Sequence, residues 1–283
     1  MAEISAGDVK KLRERTGAPM MDCKTALAEA GGDMDKAIEI IRKRNAAIQE
    51  KKGMRETAEG RIAIFIQPQR ARAAIVELRC ETAPVAKNEL FVALAQDVAR
   101  QVAEAEPSAH SVEELLEQPF VGDSRRTVKE RIGEVVGLIR ENIQIARFAH
   151  LSGGYFGSYV HFDGTVGVLV QCEGTQPPSA DLLKDICMHI TARNPVAARR
   201  EDVDAQTLER EKAIARAQAE ASGKPKAIVE KIAENRLKTW FAENILVEQP
   251  FVKDPKRTVG DLLRSAGLSV RRFIRYKVGE VGG

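Results

Sequence analysis

Hydrophobic spacing divides the chain into helical and sheet-forming regions. Up to residue 45, apolar residues recur at helical spacing in three short segments, with Ser5 and Asp33 placed to cap two of them. This pattern predicts a three-helix bundle over residues 1–45. Residues 46–60 are charged, show little periodicity and are interpreted as a linker. Beyond them Ile62, Ile64 and Ile66 alternate, as is typical of a strand.

The remainder of the chain is a duplicated pattern. Residues 117–128 recur as residues 248–259 with nine of twelve positions identical, and each copy precedes a capped helix and a closing strand. This predicts two modules, residues 61–151 and residues 152–204 with 242–283. Each module contains a hairpin, a long helix, a short helix and a closing strand. Two three-stranded antiparallel sheets covered by helices place the chain in the α+β class.

Residues 205–241 have no counterpart in the first module. Apolar residues lie along two charged helical segments, and Ser222 begins a Ser-Gly-Lys-Pro turn between them. We interpret this segment as a coiled-coil hairpin inserted in the second module and projecting from it.

Composition limits the class of protein. Of its 283 residues 43% are hydrophobic and 30% charged, and 44 basic against 41 acidic residues leave a net charge of only +3, too balanced to indicate nucleic-acid binding. The four cysteines form no CxxC pair, no secretory signal is visible, and no apolar run is long enough to span a membrane. A soluble, cytoplasmic protein with reduced thiols is expected.

Catalytic motifs are missing from the sequence. Gly223-Lys224 lacks the upstream glycine of a Walker loop and is followed by Pro225. The four histidines have no metal-ligand spacing, and there is no GxSxG elbow and no cysteine with a nearby histidine that suggests a thiolate. The sequence therefore predicts a binding protein, not an enzyme, with no cofactor or metal.

One short segment carries a family resemblance. Thr82-Ala-Pro-Val-Ala-Lys-Asn88, between a predicted strand and a helix capped by Asn88, resembles the signature Thr-Asp-Phe-Val-Ala-Lys-Asn of translation elongation factor Ts. Ala83 and Pro84 replace the Asp and Phe of that signature, and Pro84 is expected to keep Ala83 out of a helix. Residues 13–24 and 222–236 also resemble the N-terminal domain and the arm of this family, and the first helices are expected to be UBA-like (of the ubiquitin-associated type).

The resemblance implies a guanine-nucleotide exchange factor that binds elongation factor Tu with GDP, disturbs its Mg²⁺ and phosphate site, and promotes GDP release so that GTP can bind. By position, the loop of Thr82, Ala83, Pro84 and Val85 would disturb the Mg²⁺ site. Further contacts would be made by Met20, Met21, Lys24, Ile139, Arg140 and His161. For Met20 and Met21, exposure and burial are both open. The family implies no direct nucleic-acid or membrane contact, and a homodimer or a 2:2 complex is open.

Two other functions are compatible with the sequence. A non-enzymatic adaptor would bind another partner through the UBA-like bundle, with the duplicated core as a scaffold. Ribosome or RNA association through Lys/Arg segments is the third, and would show a steep salt dependence and no effect on GDP.

Overall fold

The computed structural model describes residues 4–221 and 223–280. Three helices come first: α1 (Ala6–Thr16), α2 (Met20–Glu29) and α3 (Met34–Lys52). Ser5 and Asp33 cap α1 and α3 through their side-chain oxygens, as the sequence predicts. Buried residues of all three helices, including Leu12, Leu27 and Ile41, form one apolar cluster. We call these helices the N-terminal bundle; their likeness to the ubiquitin-associated fold stays a prediction.

The segment interpreted as a linker, residues 46–60, is not one throughout. Helix α3 continues to Lys52, and β1 begins at Glu59. Residues 46–52 consist largely of good helix formers, and Ile48 packs against the apolar core of the first module. The helix persists because one of its faces is covered by the next domain, a contact that the periodicity of the bundle alone does not reveal.

The first module contains one sheet with helices on one face. Strands β1 (Glu59–Gln67), β2 (Arg72–Cys80) and β5 (Ile143–Ser152) pair antiparallel in the order β1-β2-β5. The covering helices bury Phe91, Leu94 and Val136 fully in the core. Its elements are β1 (Glu59–Gln67), β2 (Arg72–Cys80), α4 (Ala83–Ala86), α5 (Glu89–Glu104), α6 (Val112–Glu117), β3 (Pro119–Phe120), β4 (Asp123–Thr127), α7 (Val128–Ile139) and β5 (Ile143–Ser152).

The second module repeats this plan. Strands pair antiparallel in the order β10-β7-β6, and Thr258 closes a capping box on α11 as Thr127 does on α7. Its elements are β6 (Tyr155–Val160), β7 (Val166–Gly174), α8 (Ala180–Arg193), α9 (Ala205–Glu220), α10 (Lys226–Asn244), β8 (Pro250–Phe251), β9 (Asp254–Thr258), α11 (Val259–Ser265) and β10 (Leu268–Lys277).

The two sheets pack against each other through their helix-free faces. Ile62 and Ile75 of the first sheet share one cluster with Leu169 and Tyr276 of the second. A Cβ at Gly167 would overlap the side chain of Ile62, so glycine permits this close approach. The order of layers is therefore helices, sheet, sheet, helices.

Helices α9 and α10 form the predicted insertion and pack against each other through Ala215, Ala219 and Val229, which are buried. Coiled-coil geometry stays a prediction, and Ser222 lies outside the described residues. Helix α10 extends past the predicted end of the insertion at residue 241. Phe241 packs there with Ala197 and Ile245 of the second module. No helix in the described ranges is both long and apolar enough to cross a membrane.

Candidate partner-binding site

The segment Thr82–Val85 is one turn of helix rather than an irregular loop. Thr82 is the N-cap of α4, and its carbonyl accepts a hydrogen bond from Ala86 N at 3.2 Å. The prediction that Ala83 stays out of a helix is wrong, because Ala83 is the first residue of α4. Pro84 follows in the first turn, where no helical N–H donor is required. Thr82, Ala83 and Pro84 are exposed, whereas Val85 packs partly against the core.

Glu141, just beyond α7, holds this turn in place. Its two carboxylate oxygens accept hydrogen bonds from Thr82 N at 3.0 Å and from Thr82 Oγ1 at 2.6 Å. A reciprocal bond runs from Asn142 N to Glu81 Oε1 at 2.6 Å. That backbone bond, together with Arg55, lowers the pKa of the Glu81 carboxyl below its usual value. The end of β2 and the start of β5 are thus joined by charge-assisted bonds.

Arg140 ends α7 in an unusual conformation. Its φ is 63°, in the left-handed region that favours glycine, and its N–H bonds to Val136 O. The resemblance to the elongation factor Ts family aligns Ile139-Arg140 with an Ile-Gly pair, and glycine adopts this left-handed conformation without strain. The guanidinium lies 3.0 Å from Asp22 Oδ2 in the first turn of α2. This positive charge therefore already has a carboxylate partner within the chain.

The start of α2 presents three of the predicted contact residues. Met20 and Met21 are 52% and 68% exposed, which decides the question left open above, and Lys24 follows one turn later, also exposed. Asp22 lies among them and contacts Arg140. Because Arg140 is covalently joined to Glu141, which holds Thr82, most of the predicted contacts lie on one surface. We call this the composite surface: Met20, Met21, Lys24, Thr82, Ala83, Pro84, Val85, Ile139 and Arg140.

His161 lies apart from the composite surface. It follows β6, and its Nδ1 is 3.1 Å from the hydroxyl of Tyr159. The turn after it rests on the first module, since Ile62 N donates to Gly164 O at 2.8 Å. On β1, Ile62 is three residues from Glu59. Glu59 pairs with Cys80, the last residue of β2, which lies two residues before Thr82. Three residues span about 10 Å along a strand. Among the described residues, no contact of the His161 side chain joins it to the composite surface.

A helix–helix contact that the sequence analysis missed fixes the N-terminal bundle on the first module. A Cβ at Gly137 of α7 would overlap the amide group of Asn45, and a Cβ at Gly133 would lie 2.9 Å from Gln49 Oε1. Gly133 and Gly137 are four residues apart on α7, and Asn45 and Gln49 are four residues apart on α3. One face of α3 therefore lies directly on α7. We call this contact the glycine seam. Its signal in the sequence was the spacing of two glycines within a helical pattern, matched by an Asn and a Gln.

The thiols are structural. All four cysteines are buried and free. Burial raises the pKa of the Cys80 and Cys172 thiols to about 12. Among the described residues, no group of three or more His, Cys, Asp or Glu side chains is arranged to hold a metal ion.

Comparison with known proteins identifies the family of this chain. Residues 81–280 match the family described as Elongation factor TS. The chain belongs to the elongation factor Ts family. It is 47% identical over 280 residues to elongation factor Ts of Thioalkalivibrio sulfidiphilus, covering 98% of this chain and 92% of that protein. It is 49% identical over 282 residues to that of Methylococcus capsulatus, with the same coverage, and 42% identical over 284 residues to that of Aquifex aeolicus, with 98% of both chains covered. Membership of this family indicates a role in translation elongation.

Proposed function

We propose that this protein is a guanine-nucleotide exchange factor that binds elongation factor Tu carrying GDP. By disturbing the Mg²⁺ and phosphate site it would promote GDP release, so that GTP can bind. A cytoplasmic location and action without a catalytic centre of its own belong to this proposal. The observation that carries it is the composite surface. In it, residues from the N-terminal bundle and the first module converge beside the segment Thr82–Val85, which we call the signature turn.

Exchange of this kind is a coupling between two binding events. A protein that weakens nucleotide binding when it docks must itself be bound more weakly, by the same factor, when nucleotide is present. A GTPase holds its nucleotide through backbone amides, a lysine and Mg²⁺. A docked surface that displaces any of these groups lowers nucleotide affinity without any covalent step.

The signature turn of this chain acts by position rather than by charge. Ala83 has no carboxylate to repel the ligands of the ion, and Pro84 has no ring to insert between partner side chains. The turn is held by Glu141 and by its own helical hydrogen bond, so little conformational entropy is lost when it docks. Displacement of the phosphate loop, with His161 contributing, is therefore proposed to matter more here than expulsion of the ion.

Release of fluorescent GDP from elongation factor Tu, followed by stopped flow, tests the function. The protein should accelerate release strongly, and Met20→Glu should reduce the effect at least tenfold. Ile214→Glu, at a residue of α9 that is 42% exposed, is the matched control and should act like the parent protein. No acceleration by the parent protein would overturn the proposal. The mass of the complex in solution distinguishes a 1:1 from a 2:2 assembly.

A second pair of variants separates the two routes to release. Ala83→Asp with Pro84→Phe restores the family residues in the turn, and His161→Ala removes the histidine. Release is measured for each with and without excess Mg²⁺. A tenfold gain for the first variant and no change for the second would show that expulsion of the ion dominates, contrary to the proposal.

A further inference from the structure

One aromatic side chain on this protein is unusually exposed. Phe162, in the turn between β6 and β7, is 88% exposed, and it is the one aromatic residue among the exposed large hydrophobic side chains of the described ranges. Burying a phenylalanine ring removes a large apolar surface from water and is therefore favourable. Single exposed hydrophobic residues are common on protein surfaces, so exposure alone carries no conclusion.

The backbone of this turn is rigid. Gly164 N donates to His161 O at 2.8 Å, and Gly164 has a φ of 79°, a conformation that disfavours other residues. Asp163 Oδ1 accepts bonds from both N and Oγ1 of Thr165 at 2.9 Å. The ring of Phe162 lies against that of His161, with centroids 4.6 Å apart. The phenyl ring is therefore exposed on an ordered support.

The sheet of the first module and the last strand of the turn's own sheet both hold the turn. Ile62 N of β1 donates to Gly164 O, and Val278 N, just after β10, donates to Thr165 O, each at 2.8 Å. Arg61 lies alongside, because a Cβ at Gly164 would come within 2.7 Å of its Nη1. No salt bridge of Arg61 is found within residues 4–221 and 223–280. The turn thus presents an exposed apolar ring, and the guanidinium beside Gly164, two residues along, has no carboxylate partner among the same residues.

We propose that Phe162 inserts into an apolar pocket of the GTPase partner, with a carboxylate at the rim of that pocket facing Arg61. The inference rests on the proposed function and adds a residue to its interface. Rigid aromatic anchors that fill a pocket dominate the energetics of many interfaces, and a preformed support lowers the entropic cost of docking. Phe162 then supplies, from the second module, the apolar wedge that Pro84 does not provide.

The first test is the affinity for nucleotide-free elongation factor Tu. Phe162→Ala should weaken binding at least tenfold, and Phe162→Leu, which keeps an apolar side chain, should lose less. Both variants should keep the thermal midpoint of the parent protein, because the ring is exposed. Ile214→Ala is the matched exposed control and should bind as the parent does. Equal affinity of Phe162→Ala and the parent, with the parent active in GDP release, would overturn this inference and leave the proposed function standing.

The second test observes insertion directly. Phe162→Trp adds an indole at the tip, and its emission is the difference from the parent spectrum, which contains only Trp240. Addition of elongation factor Tu should shift the difference emission to shorter wavelength as the indole leaves water. An unshifted spectrum at saturating partner would contradict insertion. Arg61→Glu should weaken binding more than Arg61→Gln, since only the glutamate repels a carboxylate at the rim. Equal effects of the two substitutions would overturn the carboxylate rim.

Discussion

The glycine seam gives the sharpest prediction about how the N-terminal bundle is held. Gly137→Ala places a methyl group where the amide of Asn45 now lies. Replacing a helical glycine by alanine contributes about 1 kcal/mol of stability through helix propensity. Overpacking at a close contact costs about 1–3 kcal/mol. The amide group of Asn45 must move to make room. A cost at the middle of this range, about 2 kcal/mol, less the propensity gain of about 1 kcal/mol, leaves an expected net loss of about 1 kcal/mol.

A matched variant removes the propensity term from the comparison. Gly7 lies in α1, and a Cβ there would meet only Ser5 Oγ at 3.5 Å, an ordinary contact. Gly7→Ala should therefore raise the thermal midpoint, by about 2 °C for a chain of this size. Gly137→Ala should lower it, and Asn45→Ala in the same chain should recover part of the loss. Equal stabilisation by the two Gly→Ala changes would refute close packing at the seam.

A larger substitution at Gly137 should alter function at a distance. If the seam positions the bundle, a displaced α3 carries Met20, Met21 and Lys24 away from the signature turn. Gly137→Leu, a larger intrusion than Gly137→Ala, should then weaken binding of elongation factor Tu, while the two modules still unfold cooperatively. Full affinity in a variant whose α3 amides have lost protection from hydrogen exchange would show that the bundle binds independently of its docking.

Three further results are expected. Replacing residues 205–239 by a Gly-Ser link should leave the cooperative unfolding transition of the core, measured by calorimetry, unchanged, because the replacement spares Phe241 at the base of the arm. Loss of that transition would show that the arm is part of the core. The pKa of about 12 for the Cys80 and Cys172 thiols means that their thiolates are scarce at pH 8, so an absorbance assay with a thiol reagent should show slow reaction until denaturant is added; fast native reaction would contradict their burial. Arg140→Gly should change the free energy of unfolding, measured by urea titration, by less than about 1 kcal/mol, since relief of strain in the left-handed backbone offsets loss of an exposed ion pair. A larger loss would show that the pair contributes more than exposed pairs usually do.

Local signals in the sequence predicted most of the elements. Asn88 caps α5 through a bond from Leu90 N, and Thr127 closes a capping box, because such caps depend only on residues within one turn. The duplication was visible for a similar reason, since equal sequences around Thr127 and Thr258 fold into equal hairpins and helix starts. These features need no knowledge of what lies across the molecule.

The features that were missed depend on distant contacts. The spacing of Asn45 and Gln49 equals that of Gly133 and Gly137, but spacing alone does not show that the two helices meet. The continuation of α3 into the predicted linker follows from that contact. A chain beginning near residue 60 would lose two such distant contacts. Ile48 packs on the core of the first module, and Asn142 Nδ2 donates to Arg55 O at 2.7 Å, so such a truncation would expose apolar surface and leave a buried amide unpaired.

The composite surface depends on a few successive contacts between side chains. Thr82 is bound by Glu141, the adjacent Arg140 is held in a left-handed conformation, and that conformation lets its guanidinium reach Asp22 on α2. An exposed ion pair alone contributes about 0–1 kcal/mol, too little to hold a bundle in place. The glycine seam supplies the packing, and the ion pair sets only the local orientation of the start of α2. Under the proposed function, a partner would meet the turn and the two methionines already in position. This would lower the entropic cost of docking and leave more of the binding free energy to weaken the hold on the nucleotide.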